Sequence, residues 1–135
     1  MIDTENFKAA EFTCRCGCGL NVMSQDTVDR LQVARRWKKS LFPEKPSIRI
    51  NCGCRCRQHN SSLKDAVYNS AHVPDAPNGY PEVRAVDIDF DSVLELVVLC
   101  ICLAISGFKR VGINMKKKYI HCDNDRRKPD DIWEY

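Results

Sequence analysis

Apolar residues in this chain recur with two different periods, and the changes between them mark out its elements. Val28, Leu31, Ala34, Trp37 and Leu41 fall three or four apart, which predicts an amphipathic helix with its basic side outward. Ser24 stands at an N-cap position, and Asp26 lies in the first turn, where the helix dipole favours negative charge. The helix must end before Pro43. Ile48 and Ile50 alternate with polar neighbours over residues 47–51, a strand pattern. Residues 84–90 predict another strand, with Val86 and Ile88 on one face and Asp87 and Asp89 on the other. Residues 93–105 are apolar nearly all round, behind a capping box of Ser92 and Glu95 and ahead of a stop at Gly107, so they predict a buried core helix. Residues 108–115 and 119–123 predict two more strands, joined by a lysine turn at 116–118. The charged tail from residue 124 is expected to pack loosely across the surface. The result is one α+β domain over residues 1–135, with a small, mostly antiparallel sheet packed against helices.

Composition narrows the classes. At 135 residues and 44% hydrophobic content the chain can bury a core of its own, and a monomer is expected. A net charge of +3 is too mild to argue for a nucleic-acid partner. Basic clusters at Arg35, Arg36, Lys38 and Lys39 and at 116–118 read as solvated surface, or as an attraction toward an anionic polymer. The opening MIDTENFKAAEF lacks the pattern of a secretory signal, and the longest apolar run contains Glu95 and is too short to span a membrane. Synthesis and retention in a cytoplasm are expected, unless another system releases the chain, with no membrane partner. Nine cysteines, an odd number, cannot all pair within one chain, and a reducing compartment disfavours disulfides. Six of them form two triplets, Cys14-x-Cys16-x-Cys18 and Cys52-x-Cys54-x-Cys56. Two readings stand: buried reduced thiols acting as small apolar residues, or a structural soft-metal site drawing on both triplets. Cys102 is expected to be buried on its helix.

The candidate chemistry gathers around residues 69–90. His72 precedes a strand that carries Asp87, and His121 lies in the later strand Tyr119-Ile120-His121-Cys122-Asp123. Carboxylates in apolar strands are costly to bury unless a positive partner neutralises them. His72, Asp87 and His121 from separate segments make a plausible open metal site, with three protein ligands and a fourth position for water.

These residues also carry a resemblance. Ser70-x-His72, Arg84-Ala85-Val86-Asp87-Ile88 and His121-x-Asp123 resemble the signature of the zinc D-alanyl-D-alanine carboxypeptidase and L-alanyl-D-glutamate peptidase family, whose fold the hedgehog signalling domain shares. Glu11-Phe12-x-Cys14-x-Cys16-Gly17-Cys18-Gly19 resembles the opening of many phage and bacterial members. The turn Cys52-Gly53-Cys54-Arg55-Cys56-x-x-His59-Asn60 is similar to the family's S-G-Y-R-C-x-x-H-N, and the whole match runs from Glu11 to Asp123. The resemblance implies a hedgehog/DD-peptidase-like fold and Zn²⁺ on His72, Asp87 and His121. It also implies Arg55 on a substrate carboxylate, Ser70 assisting through its hydroxyl, and a peptidoglycan stem peptide as substrate, as in a phage endolysin. A guanidinium suits the carboxylate role because its planar fork holds both oxygens.

Two departures stand out. Fourteen residues lie between His72 and Asp87, a longer spacing than the family pattern, so Pro74, Pro77, Asn78, Gly79 and Pro81 read as a looped-out insertion. Lys118 stands where several relatives carry the general base, three residues before the last histidine. Asp123 is then the nearest acid, either as base or as a residue orienting His121, with Asp89 behind it. Three functional readings follow: a zinc peptidase acting on cell walls, a catalytically silent hedgehog-like zinc domain that binds a ligand or partner, and a cysteine-rich structural zinc module.

Overall fold

The computed structural model describes residues 2–74 and 81–135, so most of the insertion expected between His72 and Asp87 lies outside the described residues. The elements are α1 (Gln25–Leu41), β1 (Arg49–Cys52), α2 (Arg57–Ser62), β2 (Ala85–Asp89), α3 (Val93–Ile105), β3 (Arg110–Asn114), β4 (Tyr119–Asp123) and β5 (Asp131–Glu134), after a short 3₁₀ turn at Ala9–Phe12. The strands form one sheet in the order β1-β2-β4-β3-β5. The first four are antiparallel to their neighbours, while β5 runs parallel to β3.

Alternation gives this sheet two unlike faces. Val86 and Ile88 of β2 and Ile120 and Cys122 of β4 are buried in a core shared with Val28 and Leu31 of α1 and Leu99 and Leu103 of α3. The opposite face carries Asp87 on β2 and Tyr119, His121 and Asp123 on β4. One face is therefore committed to stability and the other to polar chemistry.

The α1 helix starts as expected, with the Ser24 hydroxyl accepting from the Thr27 N–H at 3.4 Å. Its apolar stripe departs from expectation toward the C-terminus. Trp37 and Leu41 are 42% and 48% exposed, and Lys38 is buried. At 100° per residue, Lys38 lies about 20° from Leu31 around the helix, whereas Trp37 lies about 120° away. The buried ammonium reaches Glu95 of α3 at 2.7 Å and the Ser47 carbonyl at 2.6 Å.

Helix α3 also differs from the expected fully buried element. Leu96, Val98, Leu99, Cys102 and Leu103 are buried, but Leu94, Val97, Ile101 and Ile105 form an exposed stripe. An all-apolar sequence cannot show which side finds a partner. Its N-terminus is capped by Ser92, which accepts from the Glu95 N–H at 3.1 Å. The expected return bond of the capping box goes one residue further out, from the Asp91 N–H to Glu95 at 2.8 Å. That shift keeps the other Glu95 oxygen free for Lys38. The helix stops at Gly107, whose φ of +95° suits glycine.

The tail corrects the remaining expectation. Instead of lying loosely, residues 131–134 extend the sheet as β5, with Trp133 opposite Gly112 of β3. A Cβ at Gly112 would come within 2.4 Å of the Trp133 ring, so the bare glycine makes this close approach possible.

Candidate metal centre

Antiparallel register puts Asp87 of β2 directly opposite His121 of β4 on the polar face of the sheet. His72 arrives from the loop before β2 and is buried beside them. Three atoms converge: His72 Nε2 lies 3.2 Å from Asp87 Oδ1 and 3.1 Å from His121 Nδ1, and His121 Nδ1 lies 3.1 Å from Asp87 Oδ1. Ligands about 2.0 Å from a tetrahedral zinc stand roughly 3.3 Å apart. The triangle has the dimensions of one face of such a shell.

Outer partners orient both imidazoles. His72 Nδ1 donates to the Gly53 carbonyl at 2.8 Å, since a carbonyl can only accept, and Nε2 is left to face the other two residues. His121 Nε2 donates to Asp123 Oδ2 at 2.8 Å, which leaves Nδ1 facing the triangle. Such partners fix the tautomer and the ring plane of a metal-binding histidine. Asp123 is itself held by Arg110 at 3.0 Å and by the Asp125 N–H at 3.1 Å. Trp133 lies against the His121 ring with centroids 5.6 Å apart, and the Arg110 guanidinium covers Trp133.

The electrostatics favour a cation at the triangle. Burial alone would lower the His72 imidazole, yet the Asp87 carboxylate beside it lifts its pKa to about 10. Burial pushes Asp87 up, and the two imidazoles outweigh it, holding the carboxyl well below its usual range. Burial likewise opposes Asp123, whose carboxyl is held low by His121, the Asp125 N–H and Arg110. A donor set of two imidazoles and one carboxylate, with Nε2, Nδ1 and Oδ1 all facing inward, fits Zn²⁺, whose binding would displace the proton that Asp87 holds on His72. Cys52 also comes near, and its thiol with His72 and Asp87 makes a second possible donor group. That thiol lies 3.8 Å from His72 Nδ1, the nitrogen already committed to Gly53. The His72–Asp87–His121 set therefore has the better geometry.

The triangle opens into a cleft of about 540 Å³. Arg55 lines it, held by Asn60 Oδ1 at 2.9 Å and by the Cys52 thiol at 3.6 Å. Its backbone N–H donates to the His72 carbonyl at 2.8 Å. Ser70 lines the cleft too, and its hydroxyl accepts from the His72 N–H at 3.3 Å, shaping the loop that presents the histidine. Lys118 takes a left-handed turn conformation with φ of 56°, and Lys117 rather than Lys118 lines the cleft. Asp89 is turned to Asn51 at 3.0 Å. A separate depression of about 450 Å³ lies behind Asp123, between Arg30, Lys109 and Arg126, and holds no group of metal donors among the described residues.

Several participants escaped the sequence reading. Asp65 is the acid, besides Asp87, that lines the cleft among the described residues, and Tyr119 and Tyr135 form part of its wall. Arg110 and Gly112 had a readable signal, because alternation on β3 turns both toward the polar face. Asp65 had none, since it belongs to no periodic segment.

The fold brings three possible metal donors together at the floor of an accessible cleft. The family model for peptidase M15 matches residues 5–123, and the chain belongs to that family of zinc metallopeptidases. No curated protein and no solved structure matches it significantly.

Proposed function

We propose that this protein hydrolyses a peptide bond in the stem peptides of bacterial peptidoglycan, with zinc held by His72 Nε2, Asp87 Oδ1 and His121 Nδ1. The observation that carries the reading is the donor triangle, each imidazole backed by its own partner, opening beside the guanidinium of Arg55. When bound, the ion supplies Lewis acidity toward the scissile carbonyl and the attacking water. Arg55 anchors a substrate carboxylate, with Asn60 fixing the plane of its fork. Ser70 borders the same subsite. Asp123 serves as a positioning residue: its carboxylate is occupied by His121, Arg110 and the Asp125 N–H. Asp65 is left as the proton acceptor, on its place in the cleft wall. The protein works as a monomer and meets its substrate after release to the cell wall. No helix among the described residues is long and apolar enough to cross a membrane.

The test is digestion of several peptidoglycan types by zinc-loaded protein, with the released fragments identified by mass spectrometry. New termini at one stem-peptide bond support the reading and name the bond. Full zinc occupancy with no fragments from any type would replace it with the silent, ligand-binding domain. Arg55→Ala should weaken substrate binding by about 1.5–3 kcal/mol, because a charge-assisted pair is lost. Asp65→Asn should lower kcat by roughly 10²–10⁴ with zinc retained, as expected for a lost general base.

A further inference from the structure

We propose a second metal site: a structural zinc held by the thiolates of Cys14, Cys16, Cys18 and Cys56, separate from the three-donor centre. These four sulfurs lie within 4.8 Å of one another, although Cys56 is some forty residues away in sequence. Cys14 Sγ is 3.5 Å from Cys16 Sγ, and Cys16 Sγ is 3.7 Å from Cys56 Sγ. Four sulfurs about 2.3 Å from a tetrahedral zinc stand roughly 3.8 Å apart. A disulfide requires about 2.0 Å, and all nine cysteines are free. The spacing therefore suits a shared ion better than any pairing.

The surroundings are built for thiolates. The Cys56 N–H donates to Cys14 Sγ at 3.3 Å, and the His59 N–H donates to Cys56 Sγ at 3.3 Å. The His59 ring adds Nδ1 at 3.3 Å from Cys14 Sγ. Backbone donors aimed at sulfur offset the negative charge that a four-thiolate site carries. The chain wraps around the cluster through Gly17 and Gly19, with φ of +86° and +80°. A Cβ at either glycine would meet nothing within 4 Å, so conformation rather than space calls for glycine there. The Cys14 N–H closes the loop onto the Leu20 carbonyl at 2.9 Å.

Core packing does not account for Cys16 and Cys18, which are exposed beside the buried Cys14. The first sequence triplet enters the cluster whole, and the second is split. Cys54 is buried and accepts from the Val22 N–H at 3.2 Å, and Cys52 faces His72, which leaves only Cys56 of its triplet to join the first. The place of the cluster explains its use. Cys56 follows Arg55, whose N–H is bonded to the His72 carbonyl, so the site ties the N-terminal loop to the residue between the two centres. Metal binding of this kind contributes folding energy directly.

Metal analysis of protein produced with zinc and kept reduced is expected to give two equivalents per chain. Cys16→Ser/Cys18→Ser should hold one, and His72→Ala should also hold one. Loss of folding in the cysteine variant would mimic loss of the site, so the wild-type protein loaded with cobalt(II) gives an independent reading. Sulfur-to-cobalt charge-transfer absorption is expected in wild type and, decisively, in His72→Ala, where the other centre has lost the histidine next to Cys52. A cobalt spectrum without that band, or a single zinc equivalent lost entirely in His72→Ala, would overturn the proposal. So would thiol titration that finds these four cysteines oxidised in protein isolated anaerobically.

Discussion

His121→Ala is expected to bind one metal equivalent fewer than wild type and to release no peptide from peptidoglycan above background. The alanine leaves His72 and Asp87 as a two-donor remnant, below the three protein ligands of an open zinc site. It also strands Asp123 and Arg110 behind an empty space and removes the ring on which Trp133 rests. Asp123→Asn makes the graded companion. A residue that orients His121 should cost about 10–100-fold in metal affinity, and activity should recover when zinc is raised. A proton acceptor would instead lose kcat with zinc fully bound. Zinc content and activity both unchanged in His121→Ala would show that the triangle is not the centre.

The second large effect lies on the other side of the sheet. Lys38→Met should destabilise the fold by about 3–5 kcal/mol, because it leaves the Glu95 carboxylate buried without its ammonium. Lys45 and Arg49 approach the other Glu95 oxygen at 3.3 and 3.5 Å and should hold the loss toward the lower end. Lys38→Met/Glu95→Leu removes both charges and should recover most of the stability, less the bond that Glu95 accepts from the Asp91 N–H. Chemical denaturation of the three proteins checks this. Acid adds a second readout. Burial pushes Glu95 up, but Lys38 and the Asp91 N–H outweigh it and hold its folded pKa below the usual glutamate value. A depressed pKa contributes stability that is present above the unfolded value and lost as pH falls through the folded one. The double variant should lack that component of the acid loss.

How much of this was legible in the sequence depended on the distance over which each signal acts. The strands and α1 came from local periodicity, and the pairing of Asp87 with His121 came from matching motifs on two neighbouring strands. Lys38 was hidden by a helical phase in which Trp37 looks like the better core residue. The exposed stripe of α3 was hidden because its sequence is apolar on every side. The strand β5 was hidden by its charges: Asp131 and Glu134 flank two large apolar residues in a short edge strand, and its parallel partner β3 is contiguous with it only in space. The triplets suggested a soft-metal site drawing on both groups, without showing which thiols would meet. Only the folded chain shows three sulfurs of one group meeting a single sulfur of the other.

Strand β5 has a practical consequence for handling the protein. Tyr135 lies in the wall of the cleft, and its N–H is held by the Ile113 carbonyl at 3.0 Å. Any group attached at that residue sits at the rim of the cleft, close in sequence to the tryptophan that braces His121. Histidines introduced there would hang imidazoles beside the His72–Asp87–His121 triangle and compete for any ion it binds. Fluorophores and surface tethers therefore belong away from residues 131–135, and metal counts from material with histidines added there would report the additions as well as the protein.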